Sequence, residues 1–306
     1  MRSIIHEAFP VLLAVLIPLV SFTTGLQASG QGPGGGGARL WRKPDHLSRD
    51  LLAILILVPL WVLLLVSIVP LSPVVRAGLL VIALSVGIGP VASMKRMGNP
   101  TVAAREALGL NVVVLLISLV FVPIAFAAVA SLFHREFHVG VGAVAKVVLG
   151  RALIPLLLGL GAARLLPRFA AKAGPVLMKV MNIVLLLVLV VALVATAKNL
   201  AGVGVVGWLV AAAAALGAVI IGHLLGGPDP GTRGVVVAAS AMRFPALALV
   251  LAAVMPRGHQ VIPVIIVYVL LSFVIVMAYG AVMGRRRRQQ KQGEGVTPLR
   301  PAPRGA

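Results

Sequence analysis

The apolar residues of this chain fall into long runs, and each run ends at proline, glycine or charged residues. An α-helix needs about 20 apolar residues to cross the hydrocarbon core of a bilayer. The runs therefore predict an all-α polytopic membrane protein with about nine transmembrane helices, which form a single domain over residues 1–284. The predicted spans are 8–27, 50–71, 74–94, 103–132, 141–165, 174–197, 203–226, 233–255 and 260–284.

Two segments between and after these spans have a different character. Residues 28–49 contain the stretch QGPGGGGA and are predicted to form a flexible cytoplasmic loop. Residues 285–306 begin with four arginines and are predicted to form a basic disordered tail. The first 28 residues have an alternative interpretation as a cleaved signal peptide. Pro10 and Pro18 interrupt their apolar stretch, which favours a retained helix.

The composition agrees with a membrane protein and excludes several chemistries. Hydrophobic residues make up 60% of the chain and charged residues only 11%, whereas soluble domains carry about 25% charged residues. Since the chain has no cysteine, disulfides, thiolate nucleophiles and cysteine-bound metals are excluded. His134 and His138 lack a third zinc ligand. No serine, histidine and acid share a predicted depth in the membrane, so we do not expect an enzyme.

The distribution of lysine and arginine over the loops predicts the orientation. The net charge is +20, and its positive residues collect on alternate loops. One side comprises Arg39, Arg42, Lys43, Arg49, Lys95, Arg96, Arg105, Arg164, Arg168, Lys172, Arg233 and the four arginines 285–288. The other comprises Arg2, Arg76, Arg135, Lys198 and Arg257, with Lys146 just inside a span. The positive-inside rule places the N-terminus outside and the C-terminus in the cytoplasm of a plasma-membrane protein. Nucleic acid is not an expected partner.

Two of the predicted spans are interrupted. Gly87, Gly89 and Pro90 break the span 74–94, and Pro245 breaks the span 233–255. Proline removes a helical hydrogen bond, and non-helical backbone at membrane depth survives only inside protein or along a water-filled cavity. Such a pair indicates two inverted-repeat-like halves with a transporter's binding site between them. The alternative is that each proline merely kinks its helix.

Two arginines, Arg151 and Arg243, lie within predicted spans that contain no acid. A charge at the bilayer centre costs at least about 2.5–3.5 kcal/mol, so it is usually partnered or functional. A guanidinium offers a planar fork to a carboxylate, sulfate or phosphate. We predict that Arg243, Arg151 and Lys95 bind an anionic substrate, with Phe244 and Ser240 lining the site. The alternatives are that the arginines cap backbone carbonyls and that Lys95 is an interfacial anchor.

Several short motifs together resemble the bile acid:sodium symporter family. They are Gly89-Pro90 before a basic pair, Gly98-Asn99, LIPLLLG at 153–159 and RFPALALVLA at 243–252. The resemblance covers about residues 8–284 and implies that the two broken helices cross at the substrate site. Family members that couple to sodium carry Glu, Gln and Asn where this chain has Ala239, Arg243 and Phe244. Because sodium needs oxygen ligands, the sodium ion that the resemblance implies is doubtful here, and no other cofactor is expected.

The expected function is secondary active transport of a small organic anion by alternating access. The expected partners are that anion and the lipid bilayer, with the chain acting as a monomer or homodimer. A sodium-independent uniporter or exporter and a non-transporting sensor or subunit with the same fold are the alternatives. The acids lie in loops, tails or span ends, and only Glu106 is a marginal candidate for carrying a proton.

Overall fold

The computed structural model describes residues 15–16, 18–26, 44–86, 100–133, 142, 146, 149–253, 255 and 258–294. Every regular element in these ranges is helical, which confirms the all-α prediction. The α-helices are α1 (residues 18–26), α2 (Pro44–Leu51), α3 (Val58–Ile68), α4 (Pro73–Leu84), α5 (Pro100–Leu132), α6 (Ile154–Leu165), α7 (Pro167–Thr196), α8 (Gly204–Leu225), α9 (Pro230–Ala241), α10 (Pro245–Ala253) and α11 (Gly258–Glu294). The π-helical segments Leu52–Leu57 and Leu149–Leu153 precede α3 and α6, and short 3₁₀ turns Ala197–Asn199 and Ala201–Val203 precede α8.

Five helical stretches are long and apolar enough to cross a bilayer. They are His46–Ile68, Pro167–Asn199, Ala201–Leu225, Pro230–Ala253 and Gly258–Arg286. Each coincides with a predicted span, and together they confirm a polytopic membrane protein. The total of nine spans stays a prediction, because several of the predicted spans lie partly outside the described residues.

Two helices extend beyond the predicted segment boundaries. Helix α2 begins at Pro44, so the end of the predicted loop 28–49 is helical. Helix α11 continues to Glu294, so residues 285–294 are not the disordered tail that the sequence predicted. Arginine, glutamine, lysine and glutamate are good helix formers, and extending an existing helix avoids the cost of nucleating a new one. Residues 295–306 lie outside the described residues.

The described parts of the two spans with predicted interruptions lie inside the molecule. In the most apolar part of Pro230–Ala253, 100% of the residues are buried. The corresponding parts of the other four membrane-length stretches are 28–50% buried. Helix α4 is likewise buried from Ala77 to Leu84. The outer helix α7 instead exposes a row of apolar side chains, which comprises Ile183, Leu186, Leu187 and Val190. Lipid can solvate such a face, whereas irregular backbone at this depth requires enclosure by protein.

Glycines allow the inner helices to approach their neighbours closely. A Cβ atom at Gly222 of α8 would lie 2.8 Å from the Val237 Cα atom of α9. A Cβ atom at Gly78 of α4 would lie 2.6 Å from the Val264 Cβ atom of α11. Small residues are typical of helix interfaces in membranes, because association there depends on close van der Waals contact. Helices α4 and α9 are thus closely packed against α11 and α8.

Candidate functional site

Helices α4 and α9 share several local features. Both have 12 residues, and both have proline in the first helical turn, where its missing N–H is not needed. The Ser72 hydroxyl accepts a hydrogen bond from the first turn of α4, and the Asp229 carboxylate does so for α9. Arg76 and Arg233 each occupy the fourth position of their helix. A chain made of two similar halves has this recurrence.

The second interruption is a real break between α9 and α10. Helix α9 ends at Ala241, and α10 begins at Pro245. Pro245 has no N–H to donate to the Ala241 carbonyl four residues earlier, so the helix cannot continue through this point. That carbonyl accepts a hydrogen bond from the Tyr268 hydroxyl of α11 instead, at 3.0 Å. The carbonyl left open at the break is therefore hydrogen-bonded by a side chain from a neighbouring helix.

The end of α4 lies against the second break. Helix α4 ends at Leu84, and the carbonyl of the next residue, Ser85, accepts a hydrogen bond from the Phe244 N–H at 3.0 Å. The Ser85 hydroxyl is buried and donates to the Val81 carbonyl at 2.7 Å. The C-terminal ends of α4 and α9 thus come together at one place.

A carbonyl without a helical hydrogen-bond donor, in the π-helical segment before α3, contacts Arg243. In a π-helix each N–H bonds to the carbonyl five residues earlier, and the Val58 N–H does so with Ala53. The next N–H in this series would come from Pro59, which has none. The carbonyl that it leaves open is that of Ile54, and this oxygen accepts a hydrogen bond from Arg243 Nη1 at 2.9 Å.

Arg243 is fully buried but only partly satisfied. Its Nε and Nη2 atoms have no hydrogen-bond partner among the described residues. The Tyr268 hydroxyl lies beside the guanidinium, and no carboxylate of the described residues contacts it. The buried Ser240 hydroxyl oxygen also has no hydrogen-bond partner in the described part of the chain. Buried polar groups are nearly always hydrogen-bonded, so these groups have unused hydrogen-bonding capacity.

The structure locates some of the predicted site residues and leaves others outside its description. Ser240, Arg243, Phe244 and Pro245 lie together at the second break, and Phe244 is buried beside Arg243. The backbone of Arg151 belongs to the π-helical segment before α6, but its side chain is not among those described. The remaining predicted residues, Lys95, Gly87, Gly89 and Pro90, lie outside the described residues.

The sequence did not point to two residues beside Arg243. Tyr268 and Ile54 supply the oxygens beside Arg243, and nothing in an apolar run distinguishes the carbonyl of one isoleucine. Tyr268 carried a weak signal, since it is one of only two tyrosines. Asp50, which the sequence placed at a span end, is buried near the start of the stretch His46–Ile68. Helix α2 starts at Pro44, so Asp50 lies within a longer packed helix. The side chain of Glu106 is not described.

The comparison with protein families assigns this architecture. The profile of the sodium bile acid symporter family matches residues 38–203, a stretch that contains α4 and the Ile54 carbonyl. The second break, with Arg243, lies beyond the matched stretch. No curated protein matches the chain. Since the matched residues make up more than half of the 306, the chain belongs to the sodium bile acid symporter family, whose members are membrane transporters.

Proposed function

We propose that this protein is a secondary active transporter that moves a small organic anion across the membrane, and that Arg243 binds the anion. The observation that carries the proposal is the fully buried guanidinium with two unpaired nitrogen atoms at the second break, where the end of α4 contacts Phe244. A binding site at such a meeting point is typical of transporters with discontinuous helices.

The two unpaired atoms are the right ones for binding an acid group. Nε and Nη2 of Arg243 lie on the same edge of the guanidinium, so their N–H groups point in parallel and form a fork. A carboxylate or similar oxyanion accepts both bonds at about 2.7–2.9 Å. Nη1 is already engaged by Ile54, which fixes the plane of the fork. The Ser240 hydroxyl is available as a further donor.

The rest of the proposed site favours an anion with an apolar body. Beyond Arg243, the residues around the second break are Phe244 and the small and aliphatic side chains of α9 and α10, all of them buried. Few polar groups are available to bind a sugar or a polyol. Arg151 and Lys95 remain proposed as additional cations for the same anion.

Alternating access follows from the burial of Arg243. The guanidinium is 0% exposed, so an anion reaches it only when the helices around the break move. We propose that one helical bundle rocks against the other about the meeting point of α4 and α9. The protein acts in the plasma membrane as a monomer or homodimer, with its N-terminus outside and its C-terminus inside.

Uptake into proteoliposomes tests the proposal. The assay compares labelled organic carboxylates with their neutral amides, using the wild type, Arg243→Ala and Arg243→Lys. We expect the wild type to carry carboxylates but not amides. Both variants are expected to lose about tenfold or more in apparent affinity, which corresponds to about 1.4 kcal/mol, because lysine lacks the planar fork.

Arg233→Ala is the matched control. Arg233 occupies the first turns of α9, and its guanidinium already donates to the carbonyls of Gly227 and Pro228. The control should therefore keep wild-type carboxylate uptake. Equal uptake by the wild type and a folded Arg243→Ala variant would contradict the proposed site.

A further inference from the structure

We infer that Arg243 is a built-in counter-ion for the transported anion, so that this protein carries the anion without a cotransported metal cation. The inference rests on the proposed function, because it concerns the same site. It adds the source of the positive charge and therefore the ion dependence of transport.

The first step concerns the charge balance at the break. An anion that leaves water for a protein interior must find a compensating positive charge. Arg243 supplies one, and among the described residues no carboxylate contacts it. Asp229, the acid nearest to it in sequence, caps the N-terminus of its own helix, with its carboxylate bonded to the N–H groups of Gly231 and Thr232. The charge of Arg243 is therefore available to the substrate.

The second step concerns the oxygens around the guanidinium. A backbone carbonyl, from Ile54, binds Nη1, and the Tyr268 hydroxyl lies beside the group. The ends of α4 and α9, which meet here through Ser85 and Phe244, are helix C-termini and carry partial negative charge. Carbonyls and half-helix C-termini are the surroundings in which broken-helix transporters coordinate small cations. In this protein the cation in those surroundings is part of the chain.

The third step is the exclusion of a second cation. A metal ion at the same carbonyls would lie within a few ångströms of the guanidinium, in a medium that screens charge poorly. The two like charges repel each other, and the tethered one cannot diffuse away. Sodium binding at this place is therefore disfavoured by Arg243 itself.

Two properties of transport follow from a tethered counter-ion. Flux of the anion does not depend on sodium, because no metal ion completes the site. Each cycle also moves the negative charge of the substrate across the membrane, so a potential that is positive inside the vesicle accelerates uptake. A symporter that carries two or more sodium ions with a monovalent anion would respond to the potential in the opposite direction.

Uptake by the wild-type protein in proteoliposomes tests the inference. A labelled carboxylate that the protein transports is supplied with sodium on both sides, or with N-methyl-D-glucamine in its place. A potassium gradient with valinomycin then sets the potential. We expect the same flux within about twofold in both cations and faster uptake at a positive interior potential. A tenfold or larger loss of flux without sodium, or faster uptake at a negative interior potential, would overturn the inference.

The outcomes separate this inference from the proposed function. If no organic anion is transported in either cation, the proposed function fails, and the inference fails with it. If the anion is transported only with sodium, the proposed function stands and the inference alone fails. Sodium should also leave the wild-type melting temperature unchanged at constant ionic strength. A sodium ion that bound the folded protein would raise this temperature, and none is expected to bind.

The variant Arg243→Ala provides a second arm. It removes the tethered cation and leaves its oxygen surroundings in place, so added guanidinium ion should restore anion uptake at least partly, whereas uptake by Arg233→Ala should not respond. Absence of rescue in a folded Arg243→Ala protein that still transports the anion would contradict the inference. If this variant does not fold, the sodium comparison on the wild type decides the question.

Discussion

Arg243 and Tyr268 each satisfy a carbonyl that a proline has left open. The Ile54 carbonyl loses its helical donor at Pro59 and receives Arg243, and the Ala241 carbonyl loses its donor at Pro245 and receives Tyr268. The sequence also suggested that Arg243 caps a backbone carbonyl. One of its nitrogen atoms, Nη1, does so. The other two are left for the proposed anion.

The contribution of Tyr268 can be measured separately. Tyr268→Phe removes the donor to the Ala241 carbonyl inside the protein, and an unsatisfied buried acceptor costs about 1–3 kcal/mol. We expect a lower melting temperature for the purified variant. Tyr279→Phe is the comparison, because the Tyr279 hydroxyl bonds to the half-buried His223 and its loss should cost less. Equal melting temperatures for wild type and Tyr268→Phe would mean that the break is satisfied in another way.

At the scale of helices, the sequence predicted the position of the second break but not the contacts made there. Proline and glycine in an apolar run mark an interruption directly, and the break before Pro245 lies where it was predicted. The π-helical segment 52–57 was not predictable, because its shifted hydrogen bonds leave no trace in a run of leucine, alanine and isoleucine. The Arg243–Ile54 bond joins residues 189 positions apart, and no local pattern encodes it.

The contact between α8 and α9 gives a prediction about helix packing. A Cβ atom at Gly222 would lie 2.8 Å from the Val237 Cα atom and 3.1 Å from the Ser240 hydroxyl oxygen. The backbone of α9 cannot yield locally, so Gly222→Ala should push the helices apart. We expect destabilisation of about 1–3 kcal/mol in thermal or denaturant unfolding and reduced anion uptake, since Ser240 belongs to the proposed site.

Gly161→Ala is the matched control for this substitution. Gly161 also lies within a helix, α6, but a Cβ atom there would meet nothing within 4 Å. Alanine is the better helix former, so this variant should be as stable as the wild type or more stable. A Gly222→Ala protein as stable as Gly161→Ala would contradict the close packing of α8 on α9.

At the scale of the whole molecule, a buried broken core lies inside helices that present apolar side chains outward. This layering explains why hydropathy and charge predicted the fold class from sequence, since both report the contact with lipid and water. Hydropathy and charge carry little information on the interior, and they did not predict that Asp50 is buried. The positive-inside pattern further predicts an orientation that can be tested.

Single cysteines test the orientation, because the chain contains none. Lys172 and Lys198 are both exposed and lie toward opposite ends of the stretch Pro167–Asn199. We expect Lys198→Cys to react with a membrane-impermeant thiol reagent added to intact cells, and Lys172→Cys to react only after the cells are opened. The reverse labelling pattern would place the N-terminus in the cytoplasm.

The most direct test of anion binding at Arg243 is an experimental structure of the protein with a transported carboxylate bound. Charge-assisted hydrogen bonds of this kind measure about 2.7–2.9 Å. We predict that the two carboxylate oxygens lie within that distance of Nε and Nη2, while Nη1 keeps its bond to the Ile54 carbonyl. A carboxylate bound elsewhere, with both nitrogen atoms of Arg243 still unpaired or taken up by protein oxygens, would contradict the proposed site.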